Sequence, residues 1–154
     1  MLYHLERSLF LPRPRKEVFS FFADADNLER ITPRFLHFHI LTPRPITIGA
    51  GTLIDYQLRL FGIPFRWRTL IETHEPVSSF TDVQLTGPYR RWHHRHTFSD
   101  APGGTQMDDH VEYELPFGPM GRIARTLFVR GAVDRIFDYR SATIATIFSK
   151  LSSS

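Results

Sequence analysis

Apolar and polar residues alternate with a period of two along most of this chain, and the period lengthens to that of a helix in two places. In residues 2–11, Tyr3, Leu5, Arg7, Leu9 and Leu11 share one side and His4, Glu6, Ser8 and Phe10 the other, which predicts a half-buried strand ended by Pro12 and Pro14. Val18, Phe19, Phe22 and Ala23 then recur at helical spacing behind Pro14, a residue tolerated in a first helical turn. This helix ends near Asp24. Asp26 or Asn27 can cap a second short helix that buries Leu28 and Ile31 and stops at Thr32-Pro33. From Phe35 the period returns to two, giving strands over residues 35–41, 52–60, 65–75 and 80–86 between Pro, Gly and Ser clusters. Ile54, Tyr56, Leu58 and Leu60 fall on one face of their strand, as do Phe65, Trp67, Thr69 and Ile71, opposite polar neighbours. A sheet covered on one side reads this way.

Residues 87–119 organise the rest. Two strands around a turn at Ala101-Pro102-Gly103-Gly104 place Trp92, His94, His96 and Phe98 on one face. Met107, Asp109, Val111, Tyr113 and Leu115 share a face of the return strand. Symmetric closure pairs Phe98 with Met107, His96 with Asp109, His94 with Val111 and Trp92 with Tyr113. A mostly apolar surface thereby carries His94, His96 and Asp109, with an opposite-charge-capable pair across the strands. Pro116-Phe117-Gly118-Pro119 then breaks the sheet before a long helix over residues 120–151. Ile123, Leu127, Val133, Ile136, Phe137, Ile144, Ile147 and Phe148 give it an apolar side, with Arg122, Arg125, Arg135, Asp138 and Lys150 outside. Gly131 marks either a bend or a close approach of sheet or ligand. The expected architecture is α+β: about seven antiparallel strands curving around one long C-terminal helix, with two short helices after the first strand, as a single domain over residues 1–154.

At 154 residues the chain is long enough to bury a core without staples. Its 14 Phe either fill that core or line a cavity. A net charge of +3 is spread through the chain, and neither a zinc-finger spacing nor an RNA-binding strand signature occurs, so no nucleic-acid partner is expected. Cysteine is absent, which excludes disulfides and thiolate chemistry. No run of 18 apolar residues occurs and the N-terminus lacks a signal-peptide core, so no stable membrane insertion and a cytoplasmic location are expected.

The candidate chemistry sits on the apolar face of the hairpin. His94 and His96, with Asp109 as third ligand, have the makings of an open zinc site. Two cavity-wall histidines that hydrogen-bond their neighbours explain the same residues, and no metal is expected. His96 and Asp109 form the candidate catalytic pair, since an imidazole beside a carboxylate can move protons near neutral pH. Arg140, on the apolar side of the long helix, either recognises a carboxylate or other oxygen-rich head group of a ligand or forms a salt bridge to Asp109 or another strand carboxylate that pins helix to sheet. With the aromatic positions, the candidate ligand-binding set is Tyr56, Trp67, Trp92, His94, His96, Phe98, Asp109, Val111, Tyr113, Phe137 and Arg140.

The order of elements, the run GPYRRWHHRHTF, the Gly103-Gly104-Thr105 turn, the pattern Asp109-x-Val111-x-Tyr113-x-Leu115-Pro116 and the step Phe137-x-Tyr139-Arg140 together resemble the SRPBCC superfamily. This is the helix-grip group that holds START-like lipid-transfer domains, Bet v 1 allergens and polyketide cyclase/dehydrase proteins. The resemblance implies a deep, largely apolar cavity between sheet and C-terminal helix, gated near the two short helices. It implies a carrier or sensor for a hydrophobic small molecule such as a lipid, quinone or aromatic polyketide. The alternatives are a cyclase or dehydratase that needs no cofactor and a module that binds a protein partner. Similar proteins are also found fused to nucleotide-sugar epimerase-like domains. This chain carries no dinucleotide-binding glycine fingerprint, because Gly49-Ala50-Gly51 leads into a strand.

Overall fold

The computed structural model describes residues 1–152. One antiparallel sheet of seven strands runs in the order β1-β7-β6-β5-β4-β3-β2. The strands are β1 (Tyr3–Leu11), β2 (His39–Ile40), β3 (Leu53–Leu60), β4 (Ile63–Glu75), β5 (Ser79–Thr86), β6 (Arg91–Ala101) and β7 (Gly104–Glu114). Helices α1 (Arg15–Phe22) and α2 (Asp26–Arg30) follow β1, and α3 (Gly118–Ala124) and α4 (Arg130–Ser152) close the chain. This is the expected curved sheet wrapped on a C-terminal helix.

The central hairpin has the expected register: Phe98 faces Met107, His96 Asp109, His94 Val111 and Trp92 Tyr113. Its turn depends on two glycines. Gly103 has φ +81°, and a Cβ on Gly104 would stand 2.1 Å from the carbonyl oxygen of Leu11, where β1 ends against the turn. β1 pairs along β7 from Tyr3 opposite Tyr113 to Leu11 opposite Thr105. The N-terminal strand therefore shields one side of the hairpin and β5 the other.

Burial on the inner face follows the period of two. Ile54, Tyr56 and Leu58 of β3, Trp67, Thr69 and Ile71 of β4, and Met107, Asp109, Val111 and Tyr113 of β7 are all buried. α4 lies across this face. Val133 and Phe137 pack against Val111 and Tyr113. Further along, Ile144 and Phe148 join Leu11, Val18, Phe19, Phe22, Phe80, Phe98 and Met107.

Several expectations need correction. Residues 35–41 are not one strand: Arg34–Leu36 is a turn of 3-10 helix, and only His39–Ile40 pairs with β3. Leu36 is turned inward, and His37 adopts a left-handed φ of 47° that no strand continues through. β4 begins earlier than residue 65, because Phe61 and Gly62, with φ of 52° and 79°, make a two-residue hairpin that pairs Leu60 with Ile63. The closing helix is also not uniform. A π-helical turn at Arg125–Val129 separates α3 from α4, and Ile123 and Leu127 are 61% and 65% exposed. An extra residue in a turn rotates the following face by about 100°, so apolar positions before it fall out of phase with those after it. Gly131 is not a point of close approach, since no atom lies within 4 Å of a Cβ there. Arg125 is not outside either: its guanidinium sits 4.0 Å from the centre of the Tyr3 ring. Among the described residues, no helix is long and apolar enough to cross a membrane.

Candidate functional site: a charged floor in an aromatic cavity

A cavity of about 180 Å³ opens between the sheet, α4 and the segment around α2. Phe38, Ile48, Ile54, Tyr56, Leu58, Trp67, Tyr89 and Trp92 line its walls, and Asp82, His94, His96 and Arg140 also border it. Period-two strands explain the selection. Each of β3, β4, β5 and β6 sends alternate side chains inward, and Ile136, Phe137 and Arg140 of α4 border the space from the other side.

Of the sequence-predicted residues, Tyr56, Trp67, Trp92, His94, His96, Phe137 and Arg140 border the cavity. The other four are placed elsewhere. Phe98 is packed among Phe19, Phe22 and Phe80, and Val111 and Tyr113 belong to the contact with α4. Asp109 lies behind the histidines. Its Oδ1 is 2.8 Å from His94 Nε2, 3.1 Å from His96 Nδ1 and 3.7 Å from an Arg140 guanidinium nitrogen. Arg140 thus makes the salt bridge weighed above and also borders the cavity.

Asp82 is the residue that sequence reasoning missed. Its Oδ2 accepts a hydrogen bond of 2.7 Å from His96 Nε2, and it stands 3.7 Å from His94 Nδ1. The signal was present: on the strand at 80–86, Asp82 shares a face with Phe80, and a lone carboxylate on an inward face needs a partner. His94 and His96 stack with ring centres 3.8 Å apart, and Phe80 covers His96 at 4.1 Å.

Two carboxylates, two imidazoles and one guanidinium therefore share a nearly water-free place, with His94, His96, Asp109 and Arg140 each under 10% exposed. Burial disfavours an ionised Asp109, but the Arg140 charge and the hydrogen bonds from His94 and His96 outweigh it and hold the carboxyl well below its usual range. Asp82 follows the same logic: burial opposes its charge, and His94, His96 and Arg140 prevail. The histidines separate. Burial and the neighbouring His96 push His94 down. Burial also acts against charge on His96, yet hydrogen bonds to Asp109 and Asp82 at its two nitrogens raise it. Of the two imidazoles, His96 is therefore the one whose surroundings favour a charge, and His94 the one whose surroundings oppose it. The His94 Nε2–H donates to Asp109, leaving Nδ1 as a lone pair beyond hydrogen-bond reach of Asp82.

The walls carry polar groups too. The Tyr56 hydroxyl and Thr69 Oγ1 are 2.9 Å apart, while Trp67 Nε1 is buried without a hydrogen-bond partner. Burial raises the phenols of Tyr56 and Tyr89, which stay protonated. Two groups place metal-ligand atoms within 4.8 Å of one another: Asp82, His94 and His96 at the cavity, and His4, His110 and Glu112 on the outer face of β1 and β7. In the first group the carboxylate is Asp82 and not Asp109.

Residues 11–138 match the family described as polyketide cyclase / dehydrase and lipid transport. The chain belongs to that family, within the SRPBCC superfamily. Solved structures agree on the fold. The Zhui aromatase/cyclase from Streptomyces sp. R1128 has a TM-score of 0.76 at 15% identity, over 97% of this chain and 95% of that one. A START superfamily protein from Mycobacterium smegmatis has a TM-score of 0.68 at 11% identity, over 96% and 98%. A nucleoside-diphosphate sugar epimerase from Corynebacterium glutamicum has a TM-score of 0.69 at 28% identity, over 97% of this chain but only 30% of that protein. No curated protein matches the sequence at a significant level. The fold is that of the hydrophobic-ligand-binding and polyketide-cyclase class.

Proposed function

We propose that this SRPBCC protein is a carrier or sensor for a compact aromatic or enolic molecule, held in the cavity by its rings and read at the floor by one oxygen. The observation that carries this reading is that polar atoms at the cavity floor lack partners: His94 Nδ1 stands 3.7 Å from Asp82 Oδ2, and Arg140 Nε is buried without a hydrogen bond. His94 Nδ1 can accept a hydrogen bond from a phenol or enol hydroxyl, and Arg140 borders the same space as a donor to its oxygen. Aromatic walls supply the affinity. Tyr56 and Trp67 are nearly parallel at 5.8 Å, and Trp92 meets Trp67 edge-on at 5.4 Å. A volume of about 180 Å³ lies below the roughly 300–1,000 Å³ of pockets for drug-sized ligands, which favours one or two rings over a long lipid chain.

Native mass spectrometry of gently purified protein, followed by organic extraction, tests this. A stoichiometric hydroxylated aromatic is the expected result. A long-chain lipid in the cavity would contradict it.

A second reading, proton transfer in a cyclase or dehydratase type of reaction, is favoured by the same nitrogen. Asp109 holds His94 by Nε2 and leaves Nδ1 free to act as base toward a bound substrate. Asp109→Asn would then slow turnover in a screen of enolisable aromatic ketones, and equal rates in wild type and variant would end this reading.

A further inference from the structure

We propose that Asp82, His94 and His96 form a binding site for a divalent first-row transition-metal ion, open toward the cavity. Sequence reasoning led to the expectation of no metal, with Asp109 as the only carboxylate considered. The geometry changes that assignment in two ways.

First, the carboxylate on the cavity side is Asp82. Asp82, His94 and His96 each place one ligand atom within 4.8 Å of the others. Ligand bonds of about 2.0–2.1 Å in a tetrahedron separate neighbouring donors by about 3.3 Å. The observed distances from Asp82 Oδ2, 2.7 Å to His96 Nε2 and 3.7 Å to His94 Nδ1, lie on either side of that value. All three residues border the cavity, leaving a coordination position open to it.

Second, Asp109 does what the outer partner of metal-bound histidines does. Both rings turn their remaining nitrogen to the same oxygen, His94 Nε2 at 2.8 Å and His96 Nδ1 at 3.1 Å. Those two hydrogen bonds fix which nitrogen of each ring faces the cavity. Arg140 in turn holds Asp109 from the side, 3.7 Å from the shared oxygen. Without an ion, this arrangement leaves His94 Nδ1 with no hydrogen bond in a residue that is 5% exposed.

Ligating imidazoles are neutral, so Asp82, Asp109, Arg140 and a divalent ion together carry a net single positive charge. A phenolate or enolate oxygen in the open position would neutralise it. The ion therefore selects the same class of molecule as the cavity walls. The metal inference rests on the geometry of the three donors and not on the carrier reading, and it is measured with the metal alone. Coordination also occupies the nitrogen that the proton-transfer reading leaves free, so added metal would suppress any turnover that depends on that base.

The test uses the full chain carrying His4→Ala, which disables the outer-face cluster, stripped with chelator and titrated with Co2+ and Zn2+. Uptake of one equivalent is expected, with the visible bands of four- or five-coordinate Co2+. His94→Gln and Asp82→Asn, checked for folding by circular dichroism, should abolish it. Asp109→Asn should weaken it by about 10–100-fold. Should these variants fail to fold, histidine nitrogen chemical shifts in the His4→Ala chain serve instead: Zn2+ should move His94 Nδ1 and His96 Nε2. Binding that survives His94→Gln, or Zn2+ that leaves both nitrogens unmoved, would overturn the proposal.

Discussion

The central hairpin is one continuous pair of strands, yet its two halves build opposite interiors. Toward the turn, Phe98 and Met107 face each other under Phe19, Phe22 and Phe148, and the space is full. Two residues along each strand, His96 and Asp109 face each other, and beyond them Trp92, Trp67 and Tyr56 surround a cavity. The backbone is the same in both halves. The difference lies in what comes from outside the sheet: α1 and the far end of α4 deliver Phe19, Phe22, Ile144 and Phe148 to the first half, while over the second α4 sets Ile136, Phe137 and the Arg140 guanidinium at the border of a space they leave open. A strand position therefore becomes core or site according to what lies across from it, and its own side chain does not decide.

The largest effect should separate the halves by stability. Phe98→Ala removes a ring from the full half and is expected to cost about 3–5 kcal/mol by denaturant unfolding. Because Phe98 does not border the cavity, affinity for an aromatic probe should stay within about twofold, measured where the variant is folded. The hollow half should show its effect in binding. Arg140→Met replaces the guanidinium by an apolar side chain of similar length, and affinity for 2-naphthol should fall by about 10-fold or more, as for loss of a hydrogen bond to a charged group. Its melting temperature should fall as well, because Asp109 loses a buried counter-charge. A variant that melts early and binds normally would make Arg140 a structural pin.

Acid distinguishes the halves next. In metal-free protein, Asp109 and Asp82 have folded-state pKa values below the ordinary 3.8. Their contribution to stability is complete above that value and is lost as pH falls through the lower folded values. Asp109 is faced by His94, His96 and Arg140, and Asp82 by the two histidines and Arg140. Unfolding midpoints should thus drop more steeply with acid in wild type than in Asp109→Asn, while Phe98→Ala keeps the wild-type slope. The smallest effect belongs to Tyr56→Phe. Loss of its hydrogen bond to Thr69 should cost about 0.5–1.5 kcal/mol in the same unfolding assay.

The strands, the hairpin register and the inward faces were legible because a period of two is local information, and Gly103-Gly104 pins the register. The start of β4 and the loss of the strand at 35–41 were not legible, because left-handed backbone at Phe61 and His37 is a tertiary outcome at residues that do not advertise it. The misreading of Ile123 and Leu127 has the same origin. Helical spacing holds only while the helix keeps its phase, and the π turn at Arg125–Val129 breaks it. At the site, the His94, His96 and Arg140 placements followed from their own elements. Asp82 did not enter, because its inward face was legible but the register of β5 on β6, which sets Asp82 opposite His94, is not pinned by a tight glycine turn as the β6–β7 hairpin is. Whether Tyr56 and Trp67 line a void or fill one depended on what α4 sets across from them, which strand periodicity cannot encode.

The central claim is that the hollow half recognises one oxygen on an otherwise apolar molecule. Calorimetric titration with 2-naphthol and with 2-methylnaphthalene, which have nearly the same shape, tests it most directly. About tenfold tighter binding of 2-naphthol, lost in His94→Leu, is the predicted result. Equal affinity for the two probes, or a preference for the hydrocarbon, would contradict it.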